Sequence, residues 1–333
     1  MPEKEGIARL RALRPDECYE NVGYGDRDAP ASGDSGAITA KDAATATTWR
    51  DQYGNPRLLY AVIRTKPEEA RALMSAGAKI DDPIAGGSTT LHILVENGPA
   101  VLLPLVQHAA DVGADLDVRG KAGSDRTTPL LLAAQNNRIA AVRALIAGGA
   151  CVDRGNERSG STPLLIASQQ GHLDVARLLV AAGADVSRFN EPSPGLVSSR
   201  GLKSSMMSNA SPLKTAAQNG HASVVRFLLE AGASPDARGV DQCVALHSAS
   251  TGGDHADVAR VLAEASADVN AGNSINCAPL HTAANQGRVG VVRALLAAGA
   301  NVDHRNDQRS TPLHFAAQVG SRAMACVTLG LPS

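Results

Sequence analysis

Thr311-Pro312-Leu313-His314-Phe315-Ala316-Ala317 is the stretch that decides the fold, because degraded copies of it recur along the chain. The residue in the proline slot marks the register of the copies: Arg57, Thr90, Pro129, Pro163, Pro212, Ala245, Pro279 and Pro312. The intervals between these positions are 33, 39, 34, 49, 33, 34 and 33 residues. A period near 33 indicates a repeat architecture.

The phrase predicts where a helix begins. In the better copies a hydroxyl residue precedes proline, which places a capping oxygen at the N-cap and a preset φ at the first helical position. The residue after the proline slot is Leu in all eight copies, so each helix has an apolar anchor. The predicted capping residues are Thr128, Thr162, Ser211 and Thr311.

Glycine, or a residue that replaces it, marks where each helix ends. Eight residues after the proline slot stand Gly98, Gly171, Gly220, Gly253, Gly287 and Gly320, with Thr65 and Asn137 in the other two copies. A second apolar stripe follows in each copy and ends at Gly77, Gly113, Gly149, Gly183, Gly232, Ser266 or Gly299. Glycine tolerates the left-handed conformation that ends a helix, so we predict two short helices per copy.

This period and its Thr-Pro-Leu-His-x-Ala core resemble the ankyrin repeat, in which each unit is a β-turn and two helices. The resemblance covers roughly residues 53–330. It implies an all-α repeat solenoid of stacked helix-turn-helix units with projecting β-turn or hairpin fingers, whose stacking supplies the core. It also implies that the histidines in the fourth slot steady neighbouring turns by hydrogen bonding: His92, His247, His281 and His314.

We expect two parts in the chain. Residues 1–52 hold Gly, Asp, Ser, Ala and Thr without a period, which is typical of disorder. Residues 53–333 are expected to form an array of about eight units. The 39-residue interval predicts one irregular unit, because Pro99 and Pro104 interrupt its second helix.

An inserted loop at 188–210 explains the 49-residue interval, since this segment is rich in Pro, Gly and Ser and has no helical period. Insertions in repeat arrays often lie on the binding face. Loop-closure entropy grows slowly with length, however, so a tolerated surface insertion explains the segment with fewer assumptions. If the loop is functional, its candidate phosphorylation sites are Ser198, Ser199, Ser204 and Ser205.

Arginines recur in the turns between units. Fingers of the ankyrin family line a concave surface, so these guanidinium groups predict docking of an acidic peptide through bidentate pairing with carboxylates. Acidic residues intersperse them, which also fits an ordinary solvated turn surface. The candidate row is Arg119, Arg126, Arg154, Arg158, Arg238, Arg305 and Arg309.

One turn carries a modification pattern. Leu262, five further residues and then Asp268-Val269-Asn270 resemble the asparaginyl-hydroxylation pattern of many ankyrin arrays. Asparagine in such a turn is also common for conformational reasons alone. Hydroxylation of Asn270 and a simple turn role both remain open.

Composition argues against several functional classes. The formal net charge is −1 and aromatic residues are 2% of the chain, so the basic patches and stacking platforms of nucleic-acid binders are missing. The sequence contains no catalytic, cofactor or metal-binding motif of a known kind. The start lacks the apolar region of a signal peptide, and no run of 18 apolar residues exists, which predicts a soluble intracellular protein of the cytoplasm or nucleus without membrane insertion. Five cysteines without a CxxC pair predict free thiols.

The sequence therefore predicts a non-catalytic scaffold or adaptor that binds a partner protein through the concave face of fingers and inner helices. A first alternative is the regulatory ankyrin array of a larger multidomain enzyme or channel. A second is a catalytic protein whose cleft is formed by repeat residues, which requires clustered titratable groups with shifted pKa values. The identity of the partner and the oligomeric state are left open.

Overall fold

The computed structural model describes residues 47–84, 87–120, 126–190 and 210–320. Most of the segment at 1–52 and of the insertion at 188–210, including its four candidate phosphorylation serines, lies outside these described residues. The chain divides into two compact units between Cys151 and Val152, and each unit has its own set of stacked helices.

The first unit consists of three helix pairs. Its helices are α1 (Arg57–Ile63), α2 (Pro67–Ser75), α3 (Thr90–Asn97), α4 (Pro104–Asp111), α5 (Pro129–Gln135) and α6 (Ile139–Ala147). Helix α3 packs between α1 and α5, and α4 packs between α2 and α6. The first helices of the pairs therefore form one layer and the second helices form another.

The second unit repeats this arrangement. Its helices are α7 (Pro163–Gln170), α8 (Leu173–Ala181), α9 (Pro212–Gln218), α10 (Ala222–Glu230), α11 (Ala245–Gly252), α12 (Ala256–Glu264), α13 (Pro279–Asn285), α14 (Val289–Ala297) and α15 (Pro312–Gln318). The first helices α7, α9, α11, α13 and α15 pack side by side in that order, and so do the second helices α8, α10, α12 and α14. All eight first helices of the chain begin at the residue in the predicted proline slot.

The predicted caps are confirmed where the pattern is strongest. Thr128 Oγ1 accepts a hydrogen bond from the Leu131 backbone N–H at 3.3 Å. Thr162 does the same for Leu165 at 3.2 Å. These bonds satisfy amides that the first turn of a helix leaves without a partner, so the helix start is fixed by its own sequence.

The predicted left-handed helix ends are confirmed at every second helix and at six of the eight first helices. The second residue after each second helix has a positive φ, from 61° at Ser266 to 102° at Gly77. At Gly98 and Gly253 the helix ends where predicted, but the left-handed conformation was the wrong prediction, because the φ values are −63° and −170°. Gly98 precedes Pro99, and a following proline disfavours the helical conformations of the residue before it.

The irregular unit has a short 3₁₀ helix at Ala100–Leu102, between the two prolines, before α4 begins at Pro104. The insertion of residues before the second helix is therefore absorbed by one tight turn. The Arg138 guanidinium donates a hydrogen bond to the Gly98 carbonyl and so ties this unit to the next pair.

Leucine, valine and alanine form the core of both layers. The leucine after the proline slot is at most 3% exposed in the first seven copies. The only β structure among the described residues is two isolated bridges, Arg50–Pro56 and Pro83–Thr89. No helix within the described ranges has the length and apolar character needed to cross a membrane.

Candidate partner-binding face

Each finger is the turn segment that joins a second helix to the next first helix; in the second unit, for example, fingers span 234–243, 268–277 and 301–310. Side chains near the start of a finger fold it back on itself. Asp268 Oδ1 accepts the backbone N–H of Asn270 at 2.9 Å, and Asn301 Oδ1 accepts that of Asp303 at 3.0 Å. These short-range bonds hold the fingers in one conformation.

A ladder of hydrogen bonds joins consecutive fingers. Asp236 Oδ1 accepts the N–H of Asp268 at 3.0 Å, and Asn270 Oδ1 accepts the N–H of Asn301 at 2.8 Å. The same bond recurs at Asp81, Asp117 and Asp153. Ser187 occupies this slot in one finger, but its hydroxyl donates to Asp185 of its own finger at 2.6 Å. No ladder bond therefore leaves that finger among the residues described.

Histidines at the start of the first helices add a second kind of link, which joins each of these helices to the following finger. His247 Nε2 lies 2.8 Å from the Cys277 carbonyl oxygen, and Nδ1 of the same ring accepts the Val244 N–H at 3.3 Å. An Nδ1 that accepts fixes the tautomer, so Nε2 carries the proton and donates. His281 bonds Ser310 in the same way at 3.1 Å. The expectation that such histidines steady neighbouring turns is confirmed for His92, His247 and His281, while the His314 ring is seen bonded to Thr311 of its own repeat.

The histidine rings in these links are held neutral by burial. Burial is the largest cause that lowers the pKa of His247, and it also lowers the pKa of His281. The neutral form suits the geometry, because Nδ1 can accept a hydrogen bond only when it is unprotonated. These rings therefore have a structural role.

Lys214 replaces histidine in one repeat, and the sequence reasoning missed the consequence. Its Nζ lies 3.2 Å from Asp241 Oδ1, and the exposed fractions of the two side chains are 7% and 43%. The same carboxylate oxygen accepts the Cys243 N–H at 3.0 Å. An ion pair therefore holds this finger against the preceding first helix, as the histidine hydrogen bond does in other repeats. The signal for it was the lysine standing in the histidine slot.

The buried and half-buried cysteines among the described residues show no sign of a reactive thiol. Burial, reinforced by the Asp241 carboxylate, raises the pKa of Cys243 to about 11. Cys277 is buried and accepts a hydrogen bond from Asn306 Nδ2 at 3.3 Å. Cys151, Cys243 and Cys277 are all free, as predicted, while Cys18 and Cys326 lie outside the described residues.

All five candidate arginines of the second unit are exposed on the fingers. The exposed members are Arg154, Arg158, Arg238, Arg305 and Arg309. Arg238 also has a structural role, because its Nη1 donates to the Gly272 carbonyl of the next finger at 2.7 Å. In the first unit Arg119 is half-buried and Arg126 is exposed with a φ of 44°. The row is thus partly a solvent surface and partly a set of finger supports.

The two histidines outside the repeat pattern are accounted for by packing. His108 Nε2 lies 3.0 Å from Ser75 Oγ, and the His304 ring meets the edge of His281 with centroids 5.6 Å apart. No group of three metal-ligating side chains occurs in the described segments. Asn270, the candidate for hydroxylation, is half-buried and committed to the finger ladder.

A row of uncharged side chains lies on the first helices, and the sequence analysis did not identify it. We name this the uncharged row; it takes the seventh residue of each first helix in the second unit, and all five members are exposed: Gln169, Gln218, Thr251, Asn285 and Gln318. Because these helices pack side by side, each repeat of the second unit presents one such residue. The repeat register could have revealed it.

The comparisons with known proteins agree with this architecture. A family model described as ankyrin repeats (3 copies) matches residues 104–190 and 196–273, and a second, ankyrin repeats (many copies), matches residues 280–327. The crystal structure of the human ASB11 ankyrin repeat domain is similar at 25% identity and a TM-score of 0.58, over 73% of this chain and 97% of that one. The search among curated proteins gave no match. The chain belongs to the ankyrin repeat family.

Proposed function

We propose that this chain binds a partner protein through the face formed by its fingers and first helices, and that it performs no chemistry of its own. Ankyrin repeats are generally protein–protein interaction modules, and their stacked units create extended binding surfaces. The observation that carries the proposal is the set of exposed arginines on fingers whose backbones are held rigid by side-chain hydrogen bonds. A rigid surface loses little conformational entropy on binding.

The partner segment that suits this face is acidic. Several finger carboxylates accept backbone N–H groups, as Asp153, Asp236 and Asp268 do. The guanidinium groups of Arg305 and Arg309, by contrast, belong to exposed side chains at a finger tip. Arginine pairs with carboxylates in a bidentate geometry, so acidic side chains of a partner complement these positions.

Charge reversal on the fingers tests this proposal. The variant combines Arg154→Glu, Arg158→Glu, Arg305→Glu and Arg309→Glu, and leaves Arg238 in place because it supports the next finger. The probe is a fluorescein-labelled (Gly-Ser-Glu)₅ peptide, whose binding is followed by fluorescence polarisation at low and physiological salt. We expect salt-dependent binding to the original chain and its loss in the variant.

A control variant reverses three positive charges elsewhere, against four on the fingers. Arg226, Arg260 and Arg293 are exposed at one position of the second helices, away from the fingers. Their replacement by Glu is expected to leave most of the binding intact, and far-UV circular dichroism checks that both variants fold. Equal loss of binding in the two variants, or no binding by the original chain, contradicts an acidic segment on the fingers.

We also propose a cytoplasmic or nuclear location. The support is chemical: three described cysteines are free, and free thiols persist in reducing compartments. Imaging of a fluorescent fusion in cells tests the location, and a secreted or luminal signal contradicts it.

A further inference from the structure

The uncharged row differs from the rest of the surface in its chemistry. Charged residues make up 20% of the chain, yet the seventh and following residues of the five first helices in the second unit include none. These residue pairs are Gln169-Gln170, Gln218-Asn219, Thr251-Gly252, Asn285-Gln286 and Gln318-Val319. An exposed surface of this kind offers hydrogen bonds without selecting for charge.

Four members of the row have uncommitted amide groups. The side chains of Gln169, Gln218, Asn285 and Gln318 form no hydrogen bond within the described ranges. The neighbouring amide of Asn219 differs, because its Nδ2 donates to the Thr215 carbonyl at 2.8 Å. Asn219 at the eighth position is thus committed to its own helix, whereas the four amides of the seventh position are available to a ligand.

A side-chain amide has the same pair of groups as a peptide bond. Its carbonyl oxygen accepts and its NH₂ donates, so it can pair with the N–H and C=O of a polypeptide backbone. A backbone in an α-helix has its own groups satisfied and offers none. The matching ligand is a segment whose backbone groups are free.

The spacing of the row selects one conformation of that segment. Packed helices lie about 8–10 Å apart, so neighbouring members of the row recur at about this distance. The amides of Gln218 and Asn285 lie two such steps apart, because Thr251 stands between them. A polyproline II helix has three residues per turn and a rise of about 3.1 Å, and it presents equivalent backbone groups about every 9 Å without internal hydrogen bonds. A β-strand repeats about every 6.6 Å and falls out of step with the row.

We propose that the partner segment lies on the uncharged row in the polyproline II conformation, with every third residue facing a member of the row and hydrogen-bonded through its main chain where that member is an amide. This inference rests on the proposed function, because the same segment places its acidic side chains against the finger arginines. The fingers thus select for charge, while the uncharged row selects for backbone conformation.

Two probes of equal length and charge separate these contributions. One is fluorescein-labelled (Pro-Pro-Glu)₅, which favours polyproline II, and the other is (Gly-Ser-Glu)₅, which is flexible. We expect the full chain to bind the proline-rich probe about tenfold more tightly, because its backbone is preorganised and meets the amides. Circular dichroism of each free probe verifies its conformation.

Three of the four amides of the uncharged row are then removed in the variant Gln169→Ala, Gln218→Ala and Asn285→Ala. We expect the affinity ratio of the two probes to fall towards one, while the affinity for (Gly-Ser-Glu)₅ is unchanged. A second version with Gln169→Met, Gln218→Met and Asn285→Leu keeps the side-chain volume and removes the amides, which guards against a folding defect. The control Arg226→Ala, Arg260→Ala and Arg293→Ala is expected to leave the ratio intact, because both probes carry the same charge.

Each outcome has one meaning. Equal affinity of the chain for the two probes overturns the inference and leaves the acidic-segment proposal standing. A preference that survives both versions of the row variant also overturns it, since the discrimination then arises elsewhere. If neither probe binds, the result overturns both the inference and the acidic segment of the proposed function.

Discussion

The ammonium of Lys214 lies 3.2 Å from the Asp241 carboxylate and joins a first helix to the following finger, in the slot where other repeats place a histidine. Only 7% of the lysine side chain is exposed, against 43% of the aspartate. The pair therefore places a nearly buried cation against a carboxylate that water still reaches. Loss of the carboxylate leaves the cation without its main partner.

Asp241→Asn is expected to lower the free energy of unfolding by about 1–2 kcal/mol, below the value for a fully buried pair because solvent screens the aspartate. Lys214→His restores the common pattern, since its Nε2 is expected to donate to the Cys243 carbonyl. The same Asp241→Asn change should then cost much less. Urea unfolding of the four chains in a double-mutant cycle measures this coupling, and additive effects contradict it.

A second prediction concerns Gly252, at the end of α11. A Cβ at this position would lie 1.6 Å from the Gln218 carbonyl oxygen on the neighbouring first helix, so the backbones must move apart. We expect Gly252→Ala to destabilise the chain by about 2 kcal/mol or more. Thr251→Ala, one residue earlier on the exposed side, is the control. Equal melting temperatures of the two variants would show that the neighbouring first helices α9 and α11 are not this close.

Gly287 tests the left-handed helix ends. Its φ is 70°, and Asn137 takes the equivalent position of another repeat with a φ of 53°. Gly287→Val is expected to cost more than about 1 kcal/mol, because a β-branched residue fits this conformation poorly. Gly287→Asn should cost less, as the chain itself uses asparagine there. Thermal melts compare the three chains. A valine variant as stable as the original contradicts the left-handed conformation assigned to Gly287.

The buried histidines predict a pH dependence of stability. Because the pKa values of His247 and His281 are lowered in the folded state, the unfolded chain binds more protons between those values and the ordinary 6.5. Their contribution is complete above 6.5 and is lost as the pH falls through the folded pKa values. We expect the melting temperature to decrease from pH 7 to pH 5. The variant His247→Asn with His281→Asn should flatten this decrease; an unchanged slope would assign it to other groups.

Asn270 remains a candidate for hydroxylation. Its Oδ1 already accepts the Asn301 N–H, so an enzyme must open this finger to reach the side chain. If the pattern is a true site, treatment with an asparaginyl hydroxylase adds the mass of one oxygen atom to the peptide that contains Asn270. Asn270→Ala serves as the control. A peptide of unchanged mass leaves Asn270 as a ladder and turn residue only.

The helix starts were predictable because their signals are local. Thr162 and Pro163 fix a cap and a backbone angle within two residues, and no distant contact is needed to read them. Gly98 shows where this reasoning stops, since the following Pro99 overrides the usual glycine end. The prediction considered glycine alone and omitted its neighbour.

The candidate site was less accessible from the sequence. The arginine positions were visible, but the bond from Arg238 to the Gly272 carbonyl depends on how two fingers stack. The uncharged row likewise becomes a surface only when first helices are aligned across repeats, as Gln218 and Asn285 show. Such features require spatial register between segments that are more than 30 residues apart.

The finger ladder affects where the second unit separates first under force or heat. Each ladder bond links neighbouring fingers, and no such bond leaves the finger of Ser187 among the described residues, because that hydroxyl donates to Asp185 of its own finger. In a stack where each repeat contacts only its neighbours, the stack separates most easily at its weakest interface between repeats. When the stack is pulled or warmed, it should part after Ser187 first, and the repeats from α9 onward should separate as one block from α7 and α8.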